Sequence, residues 1–260
     1  MKKLGFIGMG NMAGAIADGL ISKGLMSAND VYAYAPNKEK LQKNAEKIGF
    51  VPVESLQKLM DKADTVVMAC KPYQVEGVLQ EIGNMLSGKT LISIALSWNY
   101  EKCTAMLPAD VRVQFVMPNT PAKVGEGVFL FEQENSLTKE ERMQMMDLFG
   151  ALGMVAELPA SLMGIGGAVT GCGPAFVDLM LEGFADAAVK YGISRELAYR
   201  LVSQTVLGSA KLQLVTGEHP GVLKDAVCSP GGSTIRGVAA LEHAGMRSAC
   251  IDAIDAVMNM

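Results

Sequence analysis

The chain has 260 residues, half of them hydrophobic, with 28 glycines and a net charge of −4. That length holds one large domain or two modest ones, and the acidic balance excludes a general basic face for nucleic acid or anionic lipid. Two histidines and five scattered cysteines without a C-x-x-C pair argue against a metal site and for free thiols in a reducing, cytoplasmic setting.

Leu4–Ile7 is a short apolar run that reads as a buried strand. It leads into Gly8-Met9-Gly10-Asn11-Met12-Ala13-Gly14, after which Ala15, Ile16, Gly19 and Leu20 recur at helical spacing. This is the strand–turn–helix setting of a G-x-G-x-x-A dinucleotide fingerprint. Gly8 makes the tight turn, and Gly10 lets the backbone approach a pyrophosphate. That group sits on the helix start at Asn11 and Met12, while Ala13 keeps helix and strand close.

The second strand, Val31–Ala35, lacks the Asp or Glu that binds a ribose 2′-hydroxyl in NAD sites. Asn37 and Lys38 follow instead, a donor and a positive charge suited to the 2′-phosphate of NADP(H). Lys38 also reads as a solvated first-turn lysine beside Glu39. The third strand, Thr65–Ala69, ends in Cys70-Lys71-Pro72. Ala69, Lys71 and Pro72 thus fall where strand ends face the crevice, and Lys71 is either a ribose or phosphate contact or a loop lysine. Thr90–Ala95 brings Ala95 to a place where a nicotinamide can pack. Arg112–Val116 runs into Met117-Pro118-Asn119-Thr120-Pro121-Ala122, where Asn119 either bonds a ligand or starts an Asx turn. Gly127–Phe131 is the sixth strand. Helices are predicted at Met12–Lys23, Lys38–Ile48, Ser55–Lys62, Tyr73–Met85, Tyr100–Leu107 and Lys139–Leu148. Residues 1–158 therefore read as a Rossmann domain with a doubly wound parallel sheet.

Past Pro159 the strand runs stop, and residues 159–260 read as an all-α domain. Its helices are predicted at Ala175–Tyr191, Arg195–Thr216, Gly221–Val227, Ile235–Ala244 and Met246–Met258. Leu158 through Val177 carries no charge. Its prolines and glycines make a poor membrane span, so it reads as a buried domain junction. Neither a membrane segment nor a targeting segment is expected. Apolar stripes through Phe176, Leu179, Phe184, Leu201 and Leu212 are wider than a surface helix needs. They predict a dimer that buries the excess, rather than a self-contained bundle.

Near the C-terminus stands Cys228-Ser229-Pro230-Gly231-Gly232-Ser233-Thr234-Ile235. Pro230 stops what precedes it, the glycines turn the backbone, and Ser233 and Thr234 are good N-cap residues for the helix that follows. The stretch reads either as an ordinary capped helix or as an anion site sized for a carboxylate, with hydroxyls beside it. Cys172 lies in another Gly-rich turn, but no histidine lies near it in sequence to serve as a base.

Together these residues resemble the Δ1-pyrroline-5-carboxylate reductase family, the last step of proline synthesis. The resemblance runs the length of the chain. It rests on Gly8-Met9-Gly10-Asn11-Met12-Ala13, Cys70-Lys71-Pro72, Met117-Pro118-Asn119-Thr120-Pro121-Ala122, Gly171-Cys172-Gly173-Pro174-Ala175, Gly192-Ile193-Ser194-Arg195, His219-Pro220-Gly221-Val222-Leu223-Lys224-Asp225 and Ser229-Pro230-Gly231-Gly232-Ser233-Thr234-Ile235. It implies reduction of a cyclic imine carboxylate by NADPH, with NADH as the alternative reductant. It implies a carboxylate held by the Gly232, Ser233 and Thr234 amides and the Ser229 hydroxyl, and a Thr234 hydroxyl bonded to the ring nitrogen as the catalytic contact. It also implies a homodimer, with a decamer built as a ring of five dimers as the larger form, and a site completed by the neighbouring subunit.

The chain departs from the family at Thr170-Gly171-Cys172-Gly173-Pro174 and at Ser233. It departs again at Ala95-Leu96-Ser97, where the family commonly has Ala-Ala-Gly. Two rival readings remain: a reductase of another cyclic imine, and a 3-hydroxyacid-type dehydrogenase. The latter needs a proton acceptor, typically a lysine early in the long helix, and no lysine follows Pro174 until Lys190. A nucleotide sensor without catalysis is a third, which the intact Gly-rich loop opposes.

Overall fold

A computed structural model describes residues 3–259. The chain divides into two compact units, Met1–Gly171 and Cys172–Met260.

The first unit opens with β1 (Leu4–Ile7), α1 (Asn11–Ser22), β2 (Val31–Tyr34), α2 (Lys38–Ile48) and β3 (Val51–Pro52). It continues with α3 (Leu56–Lys62), β4 (Thr65–Met68), α4 (Pro72–Ile82), β5 (Thr90–Ser93), α5 (Tyr100–Thr104) and β6 (Arg112–Pro118). Then come β7 (Gly127–Glu132), α6 (Lys139–Gly150), β8 (Gly153–Leu158) and α7 (Ala160–Gly167). The strands form one sheet in the order β3-β2-β1-β4-β5-β6-β7-β8. From β3 to β6 all neighbours are parallel, β7 runs antiparallel to β6, and β8 is parallel to β7. The expected all-parallel sheet is thus corrected at one edge. Only residues 119–126, with the short turn Thr120–Val124 among them, separate β6 from β7, too little chain for the crossover a parallel pair needs.

Burial on both faces explains the near-continuous apolar strands. One face packs Ile16 and Leu20 of α1, Leu41 of α2 and Phe149 of α6 onto Leu4, Phe6, Val67 and Ile92. The other packs Leu59 of α3 and Val75 and Leu79 of α4 onto Ile7, Val66, Met68 and Leu91. After β3 the chain returns to place β4 on the opposite side of β1. That reversal opens a crevice at the carboxyl ends of β1 and β4, the ligand position of open α/β sheets.

The second unit holds α8 (Gly173–Lys190), α9 (Arg195–Thr216), α10 (Pro220–Ala226), α11 (Ser233–His243) and α12 (Met246–Met258). The prolines and glycines of Leu158–Val177, read from sequence as a poor membrane span, do not interrupt the helix. Ala160–Lys190 is one helical run of 31 residues, long and apolar enough to cross a membrane by length and composition alone. Pro159 sits at the N-cap of α7 and Pro174 in the first turn of α8, where a missing N–H costs nothing. A π-helical turn at Ala168–Cys172 joins the two. Of Leu158–Val177, expected to be a buried junction, only Met163 and Ala168 are buried. Among the described residues of the second unit only Ala185 and Ala198 are buried, while Leu179, Leu214 and Val215 are at least 69 % exposed.

Candidate functional site

The crevice is a cavity of about 590 Å³ lined by Gly8, Gly10, Asn11, Met12, Ala13, Ala69, Lys71, Pro72 and Ala95 among others. It therefore gathers most of the cofactor residues expected from sequence. Gly8 has φ +93°, and a Cβ there would lie 2.8 Å from both Ala69 O and Cys70 N. Those are backbone atoms that cannot yield, so only glycine lets β1 and β4 end side by side. Gly10 is the N-cap of α1 and offers no side-chain cap. A Cβ on Gly10 would meet nothing within 4 Å. The first amides of α1 lack intrahelical partners and face open space, a cradle that a pyrophosphate fits. The Asn44 side chain donates to Met9 O at 3.1 Å and ties the glycine turn to α2.

At the β2 end the cleft is lined by Tyr34, Pro36 and Lys40. Asn37 is the N-cap of α2, and its Oδ1 accepts from Lys40 N at 2.9 Å. Lys38 opens the helix but does not line the cavity; Lys40 does. The sequence favours Lys38 because it is the lysine nearer the strand, whereas Lys40 is the one at the cleft. The N-cap Asn37 was the available signal, since it sets where the helix starts and so which lysine stands at the cleft.

The opposite end is formed by Ala69, Cys70, Lys71, Pro72, Ile94, Ala95, Leu96 and Thr120. Gln74 also lines it and accepts from the Lys71 N–H at 3.1 Å. Burial pushes the Cys70 thiol pKa up, against a smaller backbone hydrogen bond that lowers it, so the thiol is a weak nucleophile. Asn119 stands apart from the cavity lining. It is 6 % exposed; its Nδ2 donates to Thr170 O at 3.0 Å, and its Oδ1 accepts from Val128 N at 2.8 Å. Both ends of its side chain bond to the backbone of the fold.

The second unit carries the C-terminal glycine loop. Gly231 has φ +69°. The N-cap of α11 is Gly232, with Ser233 and Thr234 as the first helical residues, one step from the expected caps. Gly232 has no side chain, so the first amides of α11 are left uncapped. A Cβ on Gly232 would lie 2.4 Å from Ser229 Oγ, which shows how closely that hydroxyl folds over the turn. Ser229 O accepts from Gly232 N at 3.0 Å and closes the turn. The loop thus presents amides and hydroxyls to one small anion.

No group of three His, Cys, Asp or Glu side chains able to hold a metal occurs among the described residues.

Comparison with known proteins matches two stretches of the chain separately. Residues 160–260 match the family described as pyrroline-5-carboxylate reductase dimerisation, and residues 3–97 match NADP oxidoreductase coenzyme F420-dependent. The chain is 38 % identical over 260 residues to a pyrroline-5-carboxylate reductase of Treponema pallidum, covering 98 % of each chain. It is 38 % identical over 258 residues to that of Escherichia coli, covering 99 % of this chain and 96 % of the relative. Among solved structures, the Plasmodium falciparum pyrroline carboxylate reductase with NADP bound superposes with a TM-score of 0.89. It shares 34 % identity and covers 98 % of this chain and 95 % of its own.

Proposed function

The chain belongs to the pyrroline-5-carboxylate reductase family, and from that premise we propose how its own residues carry the reaction. It is an oxidoreductase of proline biosynthesis that reduces the C=N bond of Δ1-pyrroline-5-carboxylate to proline with NADPH. The observation that carries the residue assignment is the uncapped start of α11 beneath Ser229.

NADPH, when bound, supplies the hydride that the imine carbon receives. The amides opening α1 hold its pyrophosphate, and Asn37 with Lys40 receives the 2′-phosphate that an acid after β2 would repel. The amides of α11 and the Ser229 hydroxyl hold the substrate carboxylate. Thr234 Oγ1 accepts from the protonated ring nitrogen, which keeps the C=N electron pair and becomes the amine. A protonated imine needs no added acid, so orientation does most of the work, a term of up to ~7–11 kcal/mol in well-aligned systems.

The chain assembles with itself through its helical domain. We propose the homodimer as the unit, with a ring of five dimers as the decameric form. The enzyme acts on a small molecule in the cytoplasm, without nucleic acid or membrane. Detergent-free fractionation followed by light scattering tests this: membrane-pelleted chain or a stable monomer would overturn it.

The activity test is NADPH oxidation with pyrroline-5-carboxylate, with NADH and a six-membered cyclic imine acid run alongside. Turnover with the five-membered ring only is expected. Turnover with the larger ring only would move the substrate to another imine. Thr234→Ala should lower kcat while NADPH affinity stays near that of the parent.

A further inference from the structure

A second cavity, of about 420 Å³, opens at the other end of the same sheet and shares no lining residue with the cofactor cleft. It lies where β4, β5 and β6 begin. Register sets Thr65, Thr90 and Arg112, the first residue of each strand, side by side in one row. Alternation turns the two threonines to the face of Val67 and Ile92, which α6 covers. Both strands are otherwise apolar up to Ser93, yet Thr65 is 5 % exposed and Thr90 3 %. Thr90 Oγ1 donates to Glu141 Oε1 of α6 at 3.1 Å, and Arg112 Nε donates to the same oxygen at 2.6 Å. The Thr65 hydroxyl has no hydrogen-bond partner among the described residues, and Thr65 lines the cavity. A buried hydroxyl left unpaired costs free energy, which a bound polar group removes.

Both signs of charge surround this row. Arg112 uses two of its five N–H donors, Nε on Glu141 and Nη2 on Gly88 O at 2.9 Å. The Lys89 ammonium donates once, to Ala63 O at 2.8 Å, and keeps its other donors. Ladder bonds seat these side chains at one mouth: Thr90 N donates to Asp64 O at 3.2 Å, and Arg112 N donates to Lys89 O at 3.0 Å. The Asp64 carboxylate has no partner among the described residues, although Lys89 reaches the carbonyl of the residue before it. With Arg112 neutralised by Glu141, Lys89 and Asp64 leave one spare charge of each sign. A lone anion would face Asp64 and a lone cation would face Lys89, whereas a molecule with both signs meets each with its opposite. The volume falls in the ~300–1,000 Å³ range of small-molecule sites. We propose that this cavity binds a free α-amino acid as its zwitterion. Its carboxylate sits on Lys89 and the remaining Arg112 donors beside the Thr65 hydroxyl, and its ammonium sits on Asp64.

The test uses the full chain with NADPH bound. Each standard amino acid except proline, the product of the reaction, is screened at millimolar concentration by thermal shift, and calorimetry follows on any that raises Tm. At least one should bind. Acetate and methylammonium, each carrying half of the charge pattern, should not bind at the same concentration. Lys89→Met and Asp64→Asn should each weaken the amino acid about tenfold, the loss of one charge-assisted hydrogen bond, and leave NADPH affinity and turnover unchanged. Asp64 is exposed, so its variant folds even if Lys89→Met does not. No amino acid bound, binding matched by acetate alone, or parent-like affinity in either folded variant would overturn the proposal. A parallel fall in NADPH affinity would mean general damage to the domain and overturn it as well.

Discussion

Gly232→Ala isolates the geometry of the carboxylate loop. The backbone at Gly232, with φ −70° and ψ 172°, suits any residue. Alanine there carries no backbone strain, and a smaller unfolded-state entropy favours it by ~0.4–1 kcal/mol. The added Cβ would lie 2.4 Å from Ser229 Oγ and 3.1 Å from Ser229 O. The hydroxyl is the movable partner, so it swings away and the fold survives. If Ser229 Oγ bonds the carboxylate, its loss removes a hydrogen bond to a charged group, ~1.5–3 kcal/mol. That is about a 10- to 150-fold fall in kcat/KM for the imine. The assay is a double-mutant cycle read by NADPH oxidation, with melting temperature and NADPH affinity as controls. Ser229→Ala alone should cost the same factor. Adding Gly232→Ala to it should then cost little, because the Ser229 Cβ lies at an ordinary 3.7 Å and the Ser229 O contact at 3.1 Å asks only a few tenths of an ångström of relaxation. If Gly232→Ala costs its full factor with the hydroxyl already gone, the two effects are independent and the account is wrong.

Ser97→Gly should relieve a backbone φ of +67° and stabilise the chain by ~1 kcal/mol, raising Tm by about 2 °C; a lower Tm would mean the serine hydroxyl carries a contact. Lys40→Glu should shift preference from NADPH towards NADH far more than Lys38→Glu does, because only Lys40 lines the cleft; equal shifts in the kcat/KM ratio would erase that distinction. Asn119→Ala orphans Val128 N and Thr170 O and should cost ~2–4 kcal/mol in urea unfolding, whereas a loss of NADPH affinity at full stability would make Asn119 a ligand contact. Burial pushes the Glu132 pKa up from 4.5, with Glu134 and Glu101 adding to the rise and the Tyr100 N–H opposing it. Between the unfolded and the raised folded value the native state binds the extra proton, so Glu132 removes stability as pH rises through that window. Glu132→Gln keeps an oxygen for the Tyr100 N–H; its stability should gain on the parent from pH 4 to pH 8, and a constant difference would exonerate Glu132.

The cofactor half of the site was legible because local rules bind it tightly. Glycine is required at Gly8 by φ and by the touching backbone of β4, and the missing acid after β2 is a one-residue signal. What escaped depends on distance or phase. The partner of Asn119 Nδ2 is Thr170 O, 51 residues away, and no local pattern points to it. β8 escaped because an edge strand starting at Gly153, with Met154 59 % exposed, shows no clean alternation. β3 is two residues long and ends in proline, below what periodicity can register. The turn at Ser97 was visible only as a departure from a glycine; its strain needed coordinates.

In the helical unit the elements were legible and their burial was not. Periodicity places α9 and α12 at the residues observed, yet Leu201, Leu207 and Leu212 of α9 and Ile251 of α12 stay exposed. Length and composition alone would let Ala160–Lys190 meet lipid. Its charge pattern makes lipid on every side costly. Asp178, Glu182 and Asp186 recur every four residues and so form a carboxylate stripe down one side of α8. Asp186 is met by Arg195 at 2.5 Å, with both side chains largely exposed. Lipid on every side would bury those carboxylates at ~2.5–3.5 kcal/mol for an aspartate near the bilayer centre. A protein partner covers only the face through Phe176, Gly183 and Ala187, which lies away from that stripe, and leaves the carboxylates in water. A helix with one wet stripe and one uncovered apolar face needs a second protein surface, and a copy of the same unit supplies one of matching character.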